Sequence, residues 1–72
     1  VNAGAYSPSG ELTPRMIQVI RAAACGANVD ETAHELGIAE GTVRTIRAAA
    51  LQRLGVSSMP AAVAEAFRRG AL

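Results

Sequence analysis

The sequence has no tryptophan and no lysine, and only one cysteine, one histidine, one tyrosine and one phenylalanine. A single cysteine, Cys25, excludes an intrachain disulfide framework and a cysteine-based zinc site. A reducing, cytoplasmic setting is therefore expected. One histidine without a paired cysteine gives no metal-ligand set, and neither a nucleophile–base pair nor a phosphate-cradling loop is present. The chain is accordingly not read as an enzyme, and no cofactor is implied. No apolar run approaches the roughly 20 residues that span a bilayer, and the N-terminus lacks the basic-then-apolar order of a signal peptide. Strong charge is missing too: the formal net charge is +1, too little to mark a nucleic-acid binder by itself.

What is present is alanine. Half of the residues are apolar, and alanine supplies much of that half, which favours helices that approach one another closely. At 72 residues the chain is one domain with a small core, a size at which help from a partner subunit fits. Every basic residue is arginine, and the acids gather between Asp30 and Glu40.

Residues 1–11 mix Gly, Ser, Pro and Asn without periodicity and are expected to form a flexible arm or linker remnant. The pattern changes at Leu12. Thr13 can cap a helix, Pro14 suits its first position, and Leu12 can pack back as a staple. Ile17, Ile20 and Ala24 recur at helical spacing up to the stop at Gly26, predicting a first helix over 14–25. Asn28 and Glu31 form a capping-box pattern for a short second helix that ends at Gly37. A third, over 40–54, carries Val43, Ile46, Ala50 and Leu54 on one stripe. Ser57 or Ser58 caps a fourth starting near Pro60, with Val63 and Phe67 turned inward and Arg68 and Arg69 at its negative end.

The stretch from Glu31 to Ile46 has the order a helix-turn-helix needs. Ala33 is the small residue at a close crossing, Gly37 can take positive φ in the turn, and Val43 and Ile46 are the branched residues of the second helix. Leu36 and Ile38 close the wedge. Stepping about 100° per residue from Val43, the opposite face shows Gly41, Arg44, Thr45, Ala48 and Gln52. Gly41 lets a helix N-terminus approach a phosphate and Thr42 offers a hydroxyl there. Arg44 can pair bidentately with guanine, and Thr45 and Ala48 suit a thymine methyl.

From Leu12 to Leu72 the sequence resembles the LuxR-type domain, also called GerE- or FixJ/NarL-type, a four-helix module of bacterial transcription regulators. The matching segments are Leu12-Thr13-Pro14-Arg15, Gly26, Ala33, Leu36-Gly37-Ile38, Thr42-Val43-Arg44, Leu54-Gly55-Val56-Ser57-Ser58, Ala62-Val63 and Gly70. The resemblance implies an all-α helix-turn-helix domain that binds double-stranded DNA, usually at two half-sites, with dimer contacts through the fourth helix. It puts Arg44, Thr45 and Ala48 near bases, and Thr42 and Arg53 near phosphates. Arg47, beside the core stripe, must snorkel or reach a phosphate. Ala62, Val63, Ala66 and Phe67 are expected to form the dimer face.

The sequence departs from the family pattern at Met16, Val29, Asp30, Ala39, Gly41, Met59 and the pair Ile46-Arg47, which together remove several basic or polar positions. These losses leave room for a second reading, in which the same fold docks on a transcription factor, sigma factor or RNA polymerase. His34 reads as plain surface and Cys25 as a small packing residue. Met16 and Met59 read as core or interface filler. Asp30, Glu31, Glu35 and Glu40 read as complements of helix starts rather than as an acid–base pair.

Overall fold

The computed structural model describes residues 11–72, which form four helices and no strand. These are α1 (Pro14–Ala24), α2 (Val29–Leu36), α3 (Glu40–Leu54) and α4 (Met59–Arg68). The expected arm lies outside the described residues except for Glu11, which is exposed and outside any helix.

Three of the four helix starts have a local side-chain cap. The Thr13 hydroxyl accepts from the Met16 N–H at 3.1 Å and Pro14 opens α1. In α2 the capping box is complete. The Asn28 side chain accepts from the Glu31 N–H at 2.8 Å, and the Glu31 carboxylate accepts from the Asn28 N–H at 2.9 Å, an arrangement typically worth about 1 kcal/mol. Ser58 accepts from the Ala61 N–H to start α4. The helices stop at the expected glycines. At Gly37 the backbone is left-handed, with φ 70° and ψ 35°. This lets the Ile38 N–H reach back to the Ala33 carbonyl at 3.0 Å, a geometry a Cβ would strain.

The core has two parts joined by α3. In one, Val19, Ala33 and Val43 are buried with Val29, Leu36, Ile38 and Ile46 packed against them. In the other, Met16, Ile20, Ala50, Leu54, Ala62 and Ala66 are buried together. Ile46 packs against both. The α3 stripe is the expected one: Val43, Ala50 and Leu54 are buried and Ile46 is half-buried.

The structure corrects the expected faces of α1 and α4. On α1 the buried residues are Met16, Val19, Ile20 and Ala22, while Ile17 is half-buried and Ala24 is exposed. Helix α1 touches all three other helices, so it buries a broad sector rather than one stripe. On α4, Ala62 and Ala66 are both 0% exposed in the core, whereas Phe67 is 71% exposed and Val63 half-buried. Ala62 and Ala66 therefore have no surface to give a dimer, and Phe67 does not turn inward. The reason is steric: where α4 lies close on α1 and α3 only a methyl group fits. Cys25, expected to pack, is exposed at the end of α1.

Among the described residues Thr32 is a fully buried polar side chain, which no motif of the sequence marks. Thr32 sits inside α2 with its hydroxyl donating to the Asn28 carbonyl at 2.8 Å, which satisfies it as a buried donor must be. At the C-terminus of α4, Glu65 accepts from Arg69 Nε at 3.0 Å and from Arg68 Nη2. The two hydrogen bonds, that from Arg68 first, hold the Glu65 carboxyl below its ordinary pKa.

Candidate nucleic-acid interface

Helices α2 and α3 and the turn Gly37-Ile38-Ala39 form the helix-turn-helix. Ala33 and Val43 meet in one buried cluster, so the small residue lies where the second helix crosses the first. The turn is short because Gly37 reverses the chain within one residue and Ile38 drops its side chain toward the same cluster.

The face of α3 away from that core is open. Gly41, Thr42, Arg44, Thr45, Ala48 and Gln52 are all exposed. The structure thus brings the three residues expected at bases, and the two expected at the phosphate near the helix start, onto one continuous surface. Helices α1, α2 and α4 each begin with a side-chain cap, but Ala39 before α3 offers none. The first N–H groups of α3 therefore lack a side-chain acceptor. Gly41 is an ordinary helical residue, and a Cβ built on it would meet nothing within 4 Å. Nothing inside the fold calls for glycine there.

Local hydrogen bonds define what each group can offer. The Thr45 hydroxyl donates to the Gly41 carbonyl at 3.0 Å, leaving its methyl and acceptor lone pairs for other contacts. Arg44 Nη2 lies 3.4 Å from Glu40 Oε1, with the two side chains 64% and 46% exposed. By its position alone Glu40 is a helix-start acid. The i,i+4 order of Glu before Arg was the signal that couples it to Arg44.

The other arginines of α3 are anchored within the chain. Arg47 Nη2 donates to the Ala27 carbonyl at 3.3 Å, and Arg47 Nε is buried without a partner. Arg47 is expected to snorkel or reach a phosphate, but its half-buried side chain instead bends back onto the Ala27 carbonyl. Its guanidinium is tied to the turn after α1 and does not stand with the exposed groups at the start of α3. Arg53 is half-buried, and its Nη1 donates to the Glu11 carbonyl at 2.7 Å. That bond links the last turns of α3 to the residue leading into α1.

With this geometry, the match to known proteins is decisive. The family described as bacterial regulatory proteins, luxR family, matches residues 10–66. The chain belongs to that family. As a luxR-family domain it is an all-α helix-turn-helix domain of DNA-binding transcription regulators. It is 41% identical over 58 residues to the "Probable transcriptional regulatory protein NarL" of Mycobacterium tuberculosis, in both strain CDC 1551 / Oshkosh and strain H37Rv. The match covers 81% of this chain and 27% of those relatives, so the luxR-family domain spans about a quarter of their length. No solved structure matches the chain. Among the described residues no helix is long and apolar enough to cross a membrane, and no group of three His, Cys, Asp or Glu side chains is placed to hold a metal ion.

Proposed function

We propose that the domain binds duplex DNA sequence-specifically by laying α3 in the major groove, with Arg44, Thr45 and Ala48 at base edges and Gly41 and Thr42 at a phosphate. The observation that carries this reading is Gly41. Glycine is less favourable than alanine in a helix, by up to about 1 kcal/mol in an interior and less in the first turn where Gly41 sits, and no neighbour in the fold requires it. A reason outside the fold accounts for it: the backbone of the first turn can come close to a phosphate, whose charge the uncapped N–H groups and the helix dipole favour. Arg53 serves as a further phosphate contact. It follows Thr42 by eleven residues, so both project from the same side of α3 within ~20° and ~16 Å apart along the axis.

Two copies act together on two half-sites. The face available for pairing on α4 is Val63 and the exposed Phe67, with Ala62 and Ala66 beneath it in the core. A two-fold pair built there sets the reading helices about one DNA turn, roughly 34 Å, apart. One helix pair buries little area, so the dimer is weak in free solution and forms on DNA by effective concentration.

Anisotropy titration of the chain against duplex DNA at low and moderate salt tests the reading. Binding that weakens linearly in log salt, with a tighter subset of sequences recovered by selection, supports it. No binding at low salt overturns it in favour of docking on RNA polymerase, a sigma factor or another transcription factor, for which the exposed Phe67 is the natural anchor.

A further inference from the structure

The reading helix carries its own anion. Glu40 is the first residue of α3, both it and Arg44 are exposed, and its carboxylate lies 3.4 Å from the Arg44 guanidinium. It also edges the notch between α2 and α3, together with Asp30, His34 and Gly37. A carboxylate here works against the phosphate binding that the uncapped helix start favours, because it repels the DNA backbone and occupies the arginine that would otherwise grip it. A surface that served only general affinity for DNA would gain from a neutral residue at this position.

We infer that Glu40 is a specificity-determining residue and that Glu40 and Arg44 read DNA as a pair, an inference that rests on the proposed function above. On arbitrary duplex the pair stays closed, so Arg44 contributes little to phosphate binding. At a site that presents guanine to Arg44, its bidentate bond to O6 and N7 replaces the bond to Glu40. The released carboxylate then accepts from the N4 amino group of a nearby cytosine. Once the pair opens, both charges regain a partner only when both bases are present. At other sites opening the pair leaves a carboxylate facing DNA unpaired, which penalises the wrong sequence. The ligand class is therefore a duplex with a guanine and a cytosine in the half-site stretch under the first two turns of α3.

The test uses the full chain and its Glu40→Gln and Glu40→Ala variants, with helical content checked by circular dichroism, against a site selected by the wild type and against a scrambled duplex. Glutamine keeps the size and a hydrogen-bonding oxygen while removing the charge. Both variants are expected to bind the scrambled duplex about two- to five-fold more tightly, the range that opening an exposed ion pair allows. The salt slope on that duplex steepens by up to about one unit as Arg44 joins the phosphate contacts. Selection with Glu40→Ala is expected to lose its preference for cytosine at one position, selection with Glu40→Gln to relax it toward adenine because the amide donates as well as accepts, and both to keep guanine at the Arg44 position. Unchanged affinity and unchanged selection in both variants would overturn the inference while leaving the DNA-binding reading intact. A wild type that binds no duplex defeats that reading and the inference with it.

Discussion

Arg47 Nη2 reaches across the fold to the main-chain carbonyl of Ala27, 3.3 Å away, and so ties the middle of α3 to the turn that separates α1 from α2. The bond adds to the packing of Val19 against Ala33 and Val43 that joins α1 to the helix-turn-helix, and takes Arg47 out of the exposed set. Arg47→Ala is expected to lower unfolding stability by about 1 kcal/mol, from a lost hydrogen bond and the packing of its stem. The salt slope of DNA binding stays unchanged. Urea denaturation and a salt titration on the same variant check both; a slope that falls by about one unit would return Arg47 to the phosphate contacts.

Gly41→Ala separates folding from binding by moving them in opposite directions. The added methyl meets open space and the backbone is already helical, so stability is expected to rise, by less than the ~1 kcal/mol of a helix interior because Gly41 lies in the first turn. Affinity for DNA is expected to fall, because in the proposed docking the methyl stands where a phosphate approaches. Thermal unfolding and anisotropy on one sample decide it. A variant that is both more stable and equally tight shows that the first turn of α3 does not contact the backbone.

Helix α4 yields a paired prediction. Ala66→Glu forces a carboxylate into the core beside Met16, Ile20 and Leu54, a cost of more than about 3 kcal/mol, and a domain of this size is expected to lose its helical signal. Phe67→Glu alters a side chain that is 71% exposed, and leaves stability within about 0.5 kcal/mol. It is expected to abolish cooperative binding to a probe with two half-sites. Cooperativity that survives Phe67→Glu in a folded protein rules out pairing through this face of α4.

The contrast between these two positions also shows what the sequence could and could not tell. The caps at Thr13, Asn28 and Ser58 and the stops at Gly37 and Gly55 are short-range chemistry, so four helices and the turn between α2 and α3 are readable from the residues. The face of α4 is not. Its larger side chains, Val63 and Phe67, suggest an inward stripe by hydrophobicity, but the crossing with α1 and α3 is close enough to admit only Ala62 and Ala66. Alanine is equally at home inside and outside, so an alanine-rich helix has no periodicity to betray its register. The outward face of α3 was legible because Val43, Ile46 and Leu54 are large and fix the phase. The destinations of Arg47 and Arg53 were not, since partners 20 and 42 residues away in sequence leave no local pattern.

Glu65 is expected to give the domain a modest acid sensitivity. Its pKa is depressed in the folded state from an ordinary value near 4.5, first by the hydrogen bond from Arg68 and then by that from Arg69. A depressed acid adds stability that is present above its unfolded pKa and is lost as pH falls through the folded one. Stability should therefore decline on acidification below about pH 4.5, and Glu65→Gln should flatten that decline. Denaturation midpoints at pH 6 and at about pH 3.5 test this. An identical pH dependence in the variant means that the clasp with Arg68 and Arg69 adds nothing.

The most direct measurement compares Arg44→Ala with Arg53→Ala on a selected site and on scrambled duplex, by anisotropy at two salt concentrations. If α3 reads the major groove, Arg44→Ala costs about 1–3 kcal/mol on the selected site, relaxes preference at one base pair and changes scrambled binding little. Arg53→Ala weakens both duplexes about equally and flattens the salt slope by about one unit. Equal losses on both duplexes for Arg44→Ala, or no loss for either variant, would contradict the assignment of α3 as the helix that reads sequence.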